Sequence, residues 1–127
     1  MTIIDLIIEE DRNSVSGRIE IENALIVEDA DNLPQLEEIL KRVLLDEYQM
    51  PSDEIEFNKF YDLTAFYYHI DRAHHLPAIC KLSGIGIELG HDYVSKEKFP
   101  PESDARKLKM AIIEIMKLDV ADSDGVQ

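Results

Sequence analysis

The stretch RVLLDEYQMPSDEIEF, residues 42–57, decides how the chain is read. A short apolar run, Val43 to Leu45, ends on the carboxylate of Asp46; a Met-Pro pair follows at Met50 and Pro51, and a new amphipathic element opens after Ser52. Taken as a buried strand, a turn and a helix, it places the chain among folds in which strands alternate with helices. Strands of a parallel sheet are covered on both faces, so they appear as brief apolar runs without strict alternation. Functional groups gather beyond the carboxyl ends of such strands, which gives the acid at Asp46 a reason to be there.

Working outward, NLPQLEEILKR, residues 32–42, puts Leu33, Leu36, Ile39 and Leu40 on one helical face, with Asn32 as cap and an early proline. TIIDLII, residues 2–8, is rich in β-branched residues, is strand-length and stops at Glu9, Glu10 and Asp11. In RNSVSGRIEIENA, residues 12–24, Val15, Ile19 and Asn23 have helical spacing while Ile19 and Ile21 alternate and Gly17 weakens a helix; the spacing slightly favours helix. LIV at 25–27 and VLL at 43–45 read as the second and third strands. The helix after Ser52 is expected to turn Ile55, Leu63 and Phe66 inward. LPAICKLSG, 76–84, and HDYVSK, 91–96, read as the fourth and fifth strands, and SDARKLKMAIIEIMKL, 103–118, as a closing helix capped by Ser103 with Leu108, Ile112, Ile115 and Met116 inward. The fold expected is α/β: a five-stranded parallel sheet, doubly wound, forming one domain over residues 1–120 with a polar tail at 121–127.

Composition narrows the function. With 127 residues, of which 45% are hydrophobic, the chain suits one folded core. Thirteen Lys and Arg against 27 Asp and Glu leave a net charge of −14, which repels a phosphate backbone, so no direct nucleic-acid contact is expected. The single Cys80 cannot form an internal disulfide, no basic leader precedes the first apolar run, and no run is long enough to span a bilayer; a cytoplasmic location without membrane insertion is expected.

Four stretches, taken in order, resemble the receiver domains of bacterial response regulators, over roughly residues 2–118. LIIEEDRN looks like their acidic first loop, VLLDEYQMP like the phospho-acceptor strand with its Met-Pro turn, PAICKLSG like the strand bearing the switch hydroxyl, and ELGHDYVSKEKF like the fifth strand with its aromatic residue and lysine. The resemblance implies a flavodoxin-like fold in which Asp46 accepts a phosphoryl group from a histidine kinase, a phosphotransfer protein or a small acyl phosphate. It implies that Glu9, Glu10 and Asp46 hold Mg²⁺, that Lys96 pairs with the phosphoryl group, and that Ser83 and Tyr93 switch to alter docking onto a downstream protein target. Any enzymatic activity would amount to self-catalysed phosphorylation and dephosphorylation. The sequence departs from the family pattern in several places. Glu10 stands where the family mostly has aspartate, and a shortened segment before Val43 leaves the second helix tight against the third strand. Asp46 stands one residue further from the Met-Pro pair than is usual, Glu97 replaces the proline after the lysine, and GIGIELGH leaves room only for a shortened fourth helix. In the alternative readings the acceptor role shifts to Glu47 or is lost.

Other readings stand beside this one. Glu9 and Glu10 read equally as solvated loop charges in so acidic a chain, Lys96 as a surface lysine and Ser83-Gly84 as a turn pair. The cluster HIDRAHH, 69–75, invites a zinc site, but His69 and His75 would point apart on a helix and the segment reads better as a loop. LPAICKLSGIGIELGHDYV, 76–94, faintly suggests a helix-turn-helix, opposed by Glu88 and Asp92 facing DNA and by Gly90 within the recognition helix. The second function class is a phosphorylation-independent acidic interaction protein: a degenerate receiver, an inhibitor or an immunity-type protein.

Overall fold

The computed structural model describes residues 1–67 and 72–125. The chain divides into two compact units, Met1–Tyr61 and Asp62–Gln127. The first contains β1 (Thr2–Glu10), β2 (Val15–Ile21), β3 (Ala24–Ala30), α1 (Leu33–Tyr48), a 3-10 turn (Ser52–Glu54) and β4 (Ile55–Tyr61). The second contains α2 (Thr64–Tyr67), α3 (Arg72–Ser83), α4 (Ile87–Ser95) and α5 (Glu102–Gly125).

In the first unit the sheet runs β3-β2-β1-β4. The first three strands form an antiparallel meander; α1 then crosses over and β4 returns parallel to β1, with Thr2 opposite Ile55 and Ile8 opposite Tyr61. Period-two alternation aims Ile4, Leu6 and Ile8 of β1, Gly17 and Ile19 of β2, and Ile55 and Phe57 of β4 at one face, all of them buried. Over that face lies the stripe Leu36, Leu40 and Leu44 of α1, each fully buried and four residues from the next. Asn32 caps α1, its side chain accepting from the Gln35 N–H at 2.9 Å, and Gln49 ends it in the left-handed region at φ 54°. The sheet and helix come close at Gly17, where a Cβ would stand 2.7 Å from Leu36 Cδ2 and 3.0 Å from Leu6 Cδ1. The β2–β3 turn is two residues long, and both of them, Glu22 and Asn23, have positive φ, as the tight hairpin turn that matches strand twist requires.

The five-stranded parallel, doubly wound sheet is therefore overturned: the sheet has four strands, and only β1 and β4 run parallel. Three expected strands are helical. Residues 43–45 continue α1, because Leu44 extends the four-residue stripe of Leu36 and Leu40. Residues 76–83 belong to α3, and 91–95 to α4, with Lys96 as its C-cap. The reverse happened at residues 15–21 and 55–61, expected to be helical, where alternating Gly17 and Ile19, and Ile55 and Phe57, fill the sheet face instead. The strands at 2–8 and 25–27 and the helix from Leu33 stand where expected; the closing helix is present but begins at Glu102, so Ser103 lies inside it rather than capping it, and it continues to Gly125 through most of the segment expected as a tail. In the second unit Ile79 of α3 and Leu108 and Ile112 of α5 are fully buried and centre its core.

The seam between α1 and the sheet makes a direct prediction. Leu40→Ala should lower the stability of the first unit by about 2–5 kcal/mol through lost transfer energy and the cavity left behind, and Gly17→Val should cost roughly 1–3 kcal/mol by forcing Leu36 and Leu6 apart. Urea unfolding followed by circular dichroism measures both. A change within about 0.5 kcal/mol for either would mean the contact is not made.

Candidate functional site

The residues expected on one catalytic rim are dispersed. Glu9 and Glu10 end β1, and the Glu9 carboxylate lies 3.9 Å from the Arg18 guanidinium of β2. Asp46 is exposed on α1, near its C-terminus. Because α1 begins beside the end of β3, where Val15 pairs with Ala30 and Glu10 pairs with Val15, and closes into the start of β4 opposite Thr2, Asp46 lies at the opposite end of the sheet from Glu9 and Glu10. The 16 residues of α1 amount to roughly 24 Å of helix. That spacing cannot place the three carboxylates around one Mg²⁺. Ser83, Tyr93 and Lys96 belong to the other unit, on helices rather than strand ends. Among the described residues no three His, Cys, Asp or Glu side chains come together to hold a metal ion. Of the zinc-like cluster, His69 and Asp71 fall outside the described residues.

Ser83, Tyr93 and Lys96 instead perform structural tasks that together build a helical motif. Gly84, at φ 76°, ends α3, its N–H donating to the Cys80 carbonyl at 2.9 Å. The Ser83 hydroxyl donates to the same carbonyl at 3.3 Å and accepts from the Ile85 N–H at 3.3 Å, which tightens the turn. Ile85 is buried, Gly86 is extended at φ −59° and ψ 149°, and α4 starts at Ile87. Three residues thus separate two helices. The helices touch nearly backbone to side chain: a Cβ on Gly90 would lie 2.4 Å from the Cys80 sulfur. Burial pushes the Cys80 thiol pKa above its ordinary value, so at neutral pH it is a packing group rather than a nucleophile.

Tyr93 locks α4 to the next helix. It is buried, and its hydroxyl donates to Asp104 Oδ2 in the first turn of α5 at 2.7 Å. Burial first, then the hydrogen bond and charge of Asp104, raise the Tyr93 pKa well above the usual phenol range, so it remains a neutral donor. Lys96 takes the left-handed C-cap of α4 at φ 65°, and its ammonium lies 3.8 Å from the buried Asp62, which also accepts from the Thr64 N–H at 3.0 Å. α5 packs along α3 through Ala105, Leu108, Ala111, Ile112 and Ile115.

A helix, a three-residue turn containing two glycines, a second helix and a third packed on the first have the element order of a helix-turn-helix unit. Its second helix, α4, exposes Glu88, His91 and Ser95 along one line, followed by exposed Lys96 and Lys98. The two objections drawn from sequence change here. Gly90 faces inward and permits the close approach to Cys80, while Asp92 is partly buried with Lys98 3.7 Å away. Charge is also unevenly divided. Residues 1–61 hold five Lys and Arg against sixteen Asp and Glu, a net −11, whereas residues 62–127 hold eight against eleven, a net −3. The motif's signal, Cys80 and Gly84 ahead of the Gly-containing α4, was readable in the sequence; the segregation of charge was countable once the boundary after Tyr61 was known.

Two measurements check these assignments. Gly90→Ala should gain about 1 kcal/mol of helix propensity yet destabilise the helical unit on balance, because Cys80 must move. In a Cys80→Ala background the same substitution should become neutral or stabilising, a sign reversal that a double-mutant cycle in thermal unfolding would register. Incubation with acetyl phosphate and Mg²⁺ should add no phosphoryl group at Asp46, as intact-mass spectrometry of wild type and Asp46→Asn would show; an adduct lost in the variant would restore the receiver chemistry. No protein-family model, curated protein or solved structure matches the chain.

Proposed function

We propose that the protein is a non-catalytic, DNA-binding regulatory protein whose helical unit presents α4 to the major groove and whose acidic first unit engages another protein. The observation that carries the reading is the close passage of Gly90 across Cys80 on either side of a three-residue turn, which packs α4 on α3 and leaves Glu88, His91 and Ser95 exposed. A recognition helix contacts base edges with the residues near its N-terminus and phosphates from its flanks. Glu88 sits in the first turn of α4, and a carboxylate there accepts from the N4 amino group of cytosine. His91 and Ser95 follow on the same line, and Lys98, Arg106 and Lys107 are exposed around them as phosphate partners. This departs from the expectation of no nucleic-acid contact, which averaged the charge over the whole chain.

The acidic unit favours the second class named from the sequence, an interaction protein that works without phosphorylation. No helix among the described residues is long and apolar enough to cross a membrane.

Selection from a random duplex library followed by fluorescence anisotropy tests the proposal. The expected result is an enriched motif containing cytosine, bound more weakly as salt rises. Lys98→Glu should reduce affinity for every duplex alike, and Glu88→Gln should relax the preference at one position by about 1–3 kcal/mol. A folded protein that enriches no motif and binds no duplex at low salt would overturn the reading.

A further inference from the structure

The first unit carries an open sheet edge. β3 ends the strand order, and among the described residues no strand pairs on its outer side. Edge strands are ordinarily guarded by charged side chains, lysine above all, by proline or by a bulge, and the only charges on β3 are the acids Glu28 and Asp29 at its far end. β3, ALIVEDA, has no lysine or proline, and its seven residues pair with β2 in unbroken register from Ala24 opposite Ile21 to Ala30 opposite Val15. Two of its apolar side chains are left out: Leu25 is 60% exposed and Val27 53%. The face opposite α1 therefore meets solvent at this edge with an apolar pair followed by Asp29, while Glu28 lies on the other face.

We propose that β3 is a docking edge for an extended segment of a basic protein, added as a fifth strand. Backbone groups of β3 facing away from β2 would supply the ladder, as in other strand-addition complexes. Apolar residues of the incoming segment lie beside Leu25 and Val27, and its Lys or Arg residues, alternating to the other face, lie beside Glu28. Charge selects this occupant over a second copy of the chain. Residues 1–61 have a net charge of −11, so edge-to-edge pairing of two copies brings two such units together, whereas a cationic strand is drawn to the same edge and its charge neutralised there. The apolar pair supplies what a purely electrostatic contact lacks, a fixed register. The proposal concerns the first unit and stands independently of DNA binding by the second.

The test uses the full chain and a synthetic capped peptide of alternating lysine and valine, with a peptide of the same composition in two blocks, lysines then valines, as control. Two-dimensional amide NMR with hydrogen exchange reports where each binds. The expected result is slowed exchange confined to β3 with the alternating peptide, at least tenfold weaker binding of the block peptide, and at least tenfold loss for Glu28→Lys/Asp29→Lys, whose fold is checked by circular dichroism. Val27→Lys, an exposed substitution that guards the edge, should abolish the protection of β3 amides without unfolding the sheet. Equal binding of both peptides, with shifts spread over the acidic surface, would overturn the proposal. So would concentration-dependent protection of β3 without peptide, accompanied by dimer in sedimentation velocity, because the occupant would then be a second copy.

Discussion

The first unit depends on one seam, the contact of Leu36, Leu40 and Leu44 with the sheet face formed by Ile4, Leu6, Ile8, Ile19, Ile55 and Phe57. The leucines are fully buried against the sheet face, so the sheet must come close enough for them to reach it. Gly17 eases that approach by removing a side chain where Leu36 presses on β2. The seam also fixes polarity. Once α1 lies across the sheet, the chain leaves it at the start of β1, and β4 has to run parallel to β1. The opposite placement of Asp46 from Glu9 and Glu10 follows from that geometry rather than from any choice at those residues.

The second unit is organised by a comparable close approach, now between two helices. Gly90 and Cys80 bring α4 against α3, Gly84 and Ser83 hold the turn, and Tyr93 fastens α4 to α5 through Asp104. Residues that in another context would be catalytic here carry hydrogen bonds that end or connect helices.

The legible parts of the sequence were those with long, unambiguous periodicity. β1 has a β-branched run, α1 has a capped stripe from Asn32, and α5 has sixteen residues of helical spacing in its sequence from Ser103. The short runs were not legible, because three to nine apolar residues suit a buried strand or one face of a helix equally. Val43–Leu45 lost to its neighbours, since Leu44 is four residues from Leu40, and β2 lost its alternation to the weak helical spacing of Val15, Ile19 and Asn23. The turn residues Glu22 and Asn23 lacked glycine, the clearest hairpin signal. The candidate site was partly visible. Helix, glycine turn and helix could be seen between residues 76 and 94, but a net charge of −14 was applied to a segment that carries little of it. Gly90 looked like a defect until its inward contact with Cys80 was available.

The crossover of α1 also sets an order of events in time. Strands β1, β2 and β3 pair with near neighbours in sequence, so the meander closes quickly, whereas Thr2 meets Ile55 only after 52 intervening residues have been laid down and α1 has docked. During synthesis the nascent sheet therefore has two open edges, and the edge of β1, with its four isoleucines, is sealed last. The finished unit keeps only one of its first three strands at an edge, and that strand is the one bearing Glu28 and Asp29.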